Sequence, residues 1–84
     1  MNYRVIILPS ALHEIDKLPP EVRRRVSRRI VSLGQDPRPH GVIKMQGEDA
    51  YRVRVGDYRV IYTIEDDVKI ATVTRVGHRR EVYH

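Results

Sequence analysis

Residues 51–62 read YRVRVGDYRVIY: β-branched and aromatic residues alternate with arginines on either side of a Gly-Asp pair. A two-residue turn at Gly56-Asp57, glycine first as a type II′ turn prefers, sets Val55 opposite Tyr58, Arg54 opposite Arg59, Val53 opposite Val60 and Arg52 opposite Ile61. Successive strand side chains point to opposite faces. Tyr51, Val53, Val55, Tyr58, Val60 and Tyr62 therefore share an apolar face, and Arg52, Arg54, Arg59 and Ile61 share the other. Arg54 and Arg59 then stand directly across from each other, with β-carbons about 5 Å apart. Two like charges at such range repel by roughly 1 kcal/mol in water and about 3 at an effective dielectric of 20. One exposed strand arginine is ordinary. Three converging on one hairpin face make a receptor for a polyanion, because each guanidinium presents a planar fork that matches phosphate.

Working outward, residues 3–8 (YRVIIL) form a β-branched run closed by Pro9 and predict a strand. Ser10 is placed to cap a short helix carrying Leu12, Ile15 and Leu18 on one stripe. Pro19-Pro20 ends it and opens a second helix running to about Leu33, with Val22, Val26, Ile30 and Leu33 as its apolar stripe. Gly34 and Pro37 stop that helix, and residues 34–50, with two prolines and three glycines, read as a long loop. Beyond the hairpin, the acidic turn Glu65-Asp66-Asp67 leads to a third meander strand over residues 68 to about 76, whose register the pattern leaves open. A polar, basic tail, GHRREVYH, occupies residues 77–84. The fold expected is α+β, one domain over residues 1–84: an N-terminal strand, a helical hairpin, then a three-stranded antiparallel meander and a short tail, with the helices on the apolar face of the sheet. The arginine face is expected to stay open to solvent, with the tail bringing His78, Arg79, Arg80, Tyr83 and His84 toward it.

The chain of 84 residues carries a net charge of +5 with a pI near 10.0, and thirteen of its sixteen basic residues are arginine. That balance favours an anionic partner, nucleic acid or an acidic protein. The absence of cysteine excludes disulfides, zinc-thiolate sites and thiol nucleophiles. No apolar run is long enough for a membrane span and no secretory leader pattern opens the chain, so a cytoplasmic location without membrane contact is expected. Helix two carries arginines at 23, 24, 25, 28 and 29, either a solvated basic face or a surface that docks on a polyanion such as structured RNA. The histidines at 13, 40, 78 and 84 have no metal-ligand spacing, and neither a nucleophile triad nor a phosphate-cradling glycine loop is present. No cofactor or metal is expected. A cationic face with titratable tail groups suits cleavage of RNA by its own 2′-hydroxyl, which requires positioning, neutralisation of the phosphorane oxygens and proton transfer.

Residues 44–62, KMQGEDAYRVRVGDYRVIY, and 75–83, RVGHRREVY, resemble the RelE toxins of the RelE/ParE toxin–antitoxin superfamily. The resemblance implies a ribosome-dependent messenger endoribonuclease leaving a 2′,3′-cyclic phosphate and a 5′-hydroxyl. It implies a cognate antitoxin as partner, with the ribosome and messenger RNA, and operator DNA contacted through the antitoxin. Matched onto the family pattern, the catalytic positions are Arg52, Arg54, Arg59, Arg79 and Tyr83. Arg52 and Arg54 stand where the family's pattern has lysines, and a guanidinium is a poor base. Phosphate positioning is therefore assigned to Arg52, Arg54, Arg59 and Arg79, and base stacking or proton transfer to Tyr83. Lys44, His78, Arg80 and His84 complete the RNA-binding candidates. The competing readings are a ParE-like inhibitor that binds DNA gyrase without cleaving anything, and a module whose main role is co-repression with the antitoxin.

Overall fold

The computed structural model describes residues 2–47 and 49–80. It contains β1 (Arg4–Ile7), α1 (Pro9–Asp16), α2 (Pro20–Ser32), β2 (Ile43–Lys44), β3 (Tyr51–Val55), β4 (Tyr58–Glu65) and β5 (Ile70–His78). The strands make one sheet in the order β1-β5-β4-β3-β2. The α+β class is as expected, and the strand pattern is richer than a meander. Within the long loop, residues 43 and 44 form β2, which pairs antiparallel with Arg52 and Tyr51 and leaves the rest of β3 as an edge. At the other side β1 runs parallel to β5, matching Arg4 to Ile70 and Ile7 to Val73.

The β3–β4 hairpin has the register its turn dictates: Tyr51 faces Tyr62, Arg52 faces Ile61, Val53 faces Val60, Arg54 faces Arg59 and Val55 faces Tyr58. Gly56 takes φ +60°, the left-handed value that the first position of such a turn requires. The third strand begins at Ile70, two residues later than expected, because residues 66–69 form a longer turn with Lys69 at φ 56°. Its open register is resolved by a bulge. Tyr62 pairs with Val73 but Ile61 pairs with Arg75, so Thr74 is the extra residue, and its hydroxyl donates to the Ile61 carbonyl at 3.2 Å. The insertion inverts the alternation. Ala71 and Val73 face the helices before it and Val76 after it, whereas strict alternation would have turned Arg75 toward the core.

The core is that apolar sheet face closed by the two helices: Ala11, Ile15, Val26, Ile30, Leu33, Val53, Val60, Tyr62, Val73 and Val76 are all buried. α2 presents Val26, Ile30 and Leu33 as its pattern predicts. α1 is rotated from expectation, burying Ala11 with Ile15 at i, i+4 and leaving Leu12 49% exposed. Ser10 is not its cap: Pro9 occupies the first turn with Leu8 before it, and no side chain closes that end. Helix α2 stops where Gly34 lets two chain segments meet. The Tyr3 amide donates to the Gly34 carbonyl at 2.6 Å, and a Cβ on Gly34 would stand 3.2 Å from the Tyr3 main-chain carbonyl oxygen.

Two polar anchors pin the 34–42 loop. The buried Tyr62 hydroxyl donates to the Pro37 carbonyl at 2.6 Å, and burial pushes this phenol above its ordinary pKa. Arg38 forks onto Asp66 at 3.0 and 2.8 Å, with the Tyr3 hydroxyl donating to the same carboxylate at 2.6 Å. On the opposite side, Glu14 of α1 accepts from the Val76 amide at 2.8 Å. This covers the β5 edge just past the end of β1.

Candidate nucleic-acid interface

Alternation on β3 and β4 sets Arg52, Arg54 and Arg59 on the sheet face away from the helices, with Arg54 and Arg59 in direct register. Arg79 joins them through the main chain: just beyond β5 its amide donates to the Asp57 carbonyl in the hairpin turn at 2.9 Å. The four charges sense one another. Burial, then the charges of Arg54, Arg52 and Arg79, push the Arg59 guanidinium below its ordinary pKa.

This face is not fully open. Arg59 is only 9% exposed and Ile61 6%, because β4 is the central strand, hemmed by β3 on one side and β5 on the other. Gly77 is the β5 residue opposite Arg59, and Arg75 the one opposite Ile61. The guanidinium of Arg59 donates to the Tyr58 carbonyl at 3.3 Å. Arg54 and Arg79 are exposed and Arg52 is half-buried. The result is a sunken, oriented cation ringed by three more accessible ones.

The other sequence candidates divide. His78 does not converge with the arginines: it pairs with Tyr58, its ring edge-on to the tyrosine with centroids 5.5 Å apart, on the Val60 and Val76 face. The bulge is the cause, since it shifts the parity of every β5 residue after Thr74. Lys44 is exposed on β2 opposite Tyr51, and so also belongs to the other face. Arg80 is exposed past the strand end, its amide donating to the His78 Nδ1 at 3.3 Å. Tyr83 and His84 lie outside the described residues. Arg75, which the sequence reading passed over, is set on the arginine face by the bulge and held by Glu14 at 3.7 Å. No local pattern announces it, because the bulge depends on packing of the whole sheet. Among the described residues no group of three or more His, Asp or Glu side chains could hold a metal ion.

Chemically, the arrangement can grip a phosphodiester from several directions and stabilise charge that develops on its oxygens. It also lacks, among the described residues of the cluster, any group that titrates near neutrality. The chain is a short basic α+β domain that gathers Arg52, Arg54, Arg59 and Arg79 at one side of its sheet, with its helices packed on the other. Its class comes from the comparisons: residues 5–83 match the family model described as ParE toxin of the type II toxin-antitoxin system, parDE, and the chain belongs to that family, on the RelE side of the RelE/ParE superfamily.

The putative toxin RelE1 of Methanocaldococcus jannaschii is 29% identical over 87 residues, 99% of this chain and 97% of the relative. Among solved structures, RelE in the RelE–RelB complex of Pyrococcus horikoshii superposes with a TM-score of 0.84 at 33% identity, covering 96% of this chain and 99% of that one. The isolated E. coli RelE toxin superposes with a TM-score of 0.79 at 30% identity, covering 96% and 90%. Among the described residues, no helix is long and apolar enough to cross a membrane.

Proposed function

We propose that this toxin is a ribosome-dependent messenger endoribonuclease in which the substrate's own 2′-hydroxyl attacks the adjacent phosphorus. The observation that carries the reading is the cluster itself: Arg59 nearly buried in the sheet, in register with Arg54, on the face that Arg52 shares and close to the hairpin turn to which Arg79 is tied. A sunken guanidinium costs desolvation, and a dianionic phosphorane would compensate it more than a monoanionic ground-state phosphodiester does. The cluster thus favours the transition state selectively. The reaction is a transesterification: the 2′-hydroxyl gives up its proton as its oxygen bonds to phosphorus, the bond from phosphorus to the 5′-oxygen breaks and that oxygen takes up a proton, and the ends are a 2′,3′-cyclic phosphate and a 5′-hydroxyl. Arg52, Arg54 and Arg79 position the strand. Tyr83 is the proposed proton-transfer or stacking group. In-line geometry is supplied by the ribosome, which holds the messenger extended, and positioning of that kind is worth several kcal/mol.

RelE toxins are found in complex with RelB antitoxins in the structures from Mycobacterium tuberculosis, Pyrococcus horikoshii and, for the intact pair, E. coli. By the same architecture this toxin takes a cognate antitoxin, whose acidic segment covers the cationic face. The family model's description bears the ParE name, and this favours testing gyrase as an alternative target. Primer extension on one messenger with and without ribosomes, run beside a gyrase supercoiling assay, tests both. Cuts confined to translated codons with supercoiling unaffected are expected. Intact messenger with inhibited supercoiling would refute cleavage.

A further inference from the structure

α2 contributes a second concentration of positive charge that the cleavage chemistry does not use. Arg25, Arg28 and Arg29 line a cleft of about 590 Å³ between α2 and the end of the β3–β4 hairpin, and Arg54 and Gly56 close its other wall. β2 pairs only with Tyr51 and Arg52, so the β3 edge at Arg54 is left uncovered and this side chain borders both the cleft and the sheet-face cluster. No acidic residue lines the cleft.

A merely solvated helix face would let its guanidiniums splay into water. Two observations oppose that here. Arg25 is an exposed residue whose guanidinium lies beside the turn: a Cβ on Gly56 would stand 3.3 Å from its Nη2. The Nε of Arg29 is buried with no hydrogen-bond partner, and a buried donor left unsatisfied is expensive unless something else satisfies or compensates it. Like charges packed together without a counter-ion are in the same position. An anion in the cleft would supply that counter-ion.

We propose that this cleft is a second phosphate-binding site, distinct from the cleavage centre, which takes an adjoining phosphodiester of an RNA backbone and shares Arg54 with the cleavage cluster. The inference rests on the RNA-directed reading above. The phosphodiester comes either from the messenger strand being cut or from ribosomal RNA beside it. With Arg54 between them, the two sites would hold a strand at two points and so fix its direction across the sheet, a constraint that one phosphate contact cannot impose.

The test compares the intact toxin with the Arg25→Ala/Arg28→Ala double variant and with a control of equal charge, Arg4→Ala/Arg24→Ala. The control residues are exposed and outside the cleft. Binding to a 12-nucleotide single-stranded RNA is titrated across salt concentrations, and cleavage of ribosome-bound messenger is measured alongside. Single-strand binding loses about 0.7 of logarithmic salt slope for each phosphate contact removed. The cleft variant is expected to bind about tenfold more weakly with a slope shallower by roughly that amount, and to cut with a raised KM and a kcat close to the parent's. The control is expected to change far less. Unchanged free-RNA binding with a raised KM on ribosomes would assign the phosphodiester to ribosomal RNA and support the site. Equal losses in both variants would reduce the cleft to bulk charge and overturn it, as would no change in either assay. Arg25→Lys/Arg28→Lys separates forked recognition from charge if the alanine variant unfolds: the site predicts weakened binding even so. If the parent cuts nothing but the cleft variant still loses affinity and slope, the nuclease reading falls and the phosphate site stands.

Discussion

Arg59 is the residue on which the reading turns, because it combines a full positive charge with a nearly buried side chain. Burial disfavours the charge, and Arg54, Arg52 and Arg79 add repulsion to it. Replacing only the charge, as in Arg59→Met, keeps most of the apolar stem in place between β3 and β5. Stability should be unchanged or higher by thermal denaturation, while cleavage falls about 100-fold or more, the usual loss when a transition-state charge donor is removed. A markedly lower melting temperature would make Arg59 structural. Tyr62 predicts the reverse pattern. Its hydroxyl satisfies the Pro37 carbonyl inside the protein, so Tyr62→Phe should lower stability by about 1 kcal/mol in denaturant titration and leave the cleavage rate per folded molecule unaltered.

At the scale of elements, the turn between β4 and β5 is tied through Asp66 to the 34–42 loop and to Tyr3, the residue just before β1. The Arg38 hydrogen bonds, then that of Tyr3, hold this carboxyl below the usual carboxylate range. A depressed folded-state pKa gives stability that is complete above the unfolded value near 4 and is lost as the pH falls below it. Melting temperatures measured from pH 5 to pH 2 should therefore fall less steeply for Asp66→Asn than for the parent, and parallel curves would remove Asp66 from the acid response. The hairpin was legible from sequence because a two-residue turn with its glycine first permits one register, and the register assigns the faces. The last strand was not. Its parity changes at Thr74, and the bulge there is stabilised by distant partners: the Ile61 carbonyl, and Glu14 of α1 reaching the Val76 amide. The sequence pattern ends this strand near residue 76 and puts His78 in a tail beside the arginines, whereas β5 runs on to His78 and sets it opposite Tyr58; Arg75 goes unnoticed because the bulge alone turns it to the arginine face. In α1 the visible leucine spacing misled because the small Ala11 lets the helix lie close on β5, a fit that hydrophobicity alone does not reveal.

Across the whole molecule, the sheet separates two tasks. One face is committed to the helices and carries the stability, so the other is left to gather arginines that do nothing for the core. A net charge of +5 on 84 residues attracts polyanions in general, and charge of that kind gives affinity without selecting a site. An antitoxin that covers the arginine face should therefore suppress both RNA binding and cleavage in a gel-shift and primer-extension series. A complex that cuts ribosome-bound messenger as fast as the free toxin would rule out occlusion. The central claim is that this face stabilises attack by the messenger's own 2′-hydroxyl, and one substitution in the substrate addresses it directly. A ribosome-bound messenger is prepared with a single 2′-deoxynucleotide immediately 5′ of the scissile phosphate, and product ends are compared with those of the all-ribose strand. The account predicts a 2′,3′-cyclic phosphate from the all-ribose messenger and no cut at the deoxy position, whereas cleavage of the deoxy messenger at an undiminished rate would contradict it.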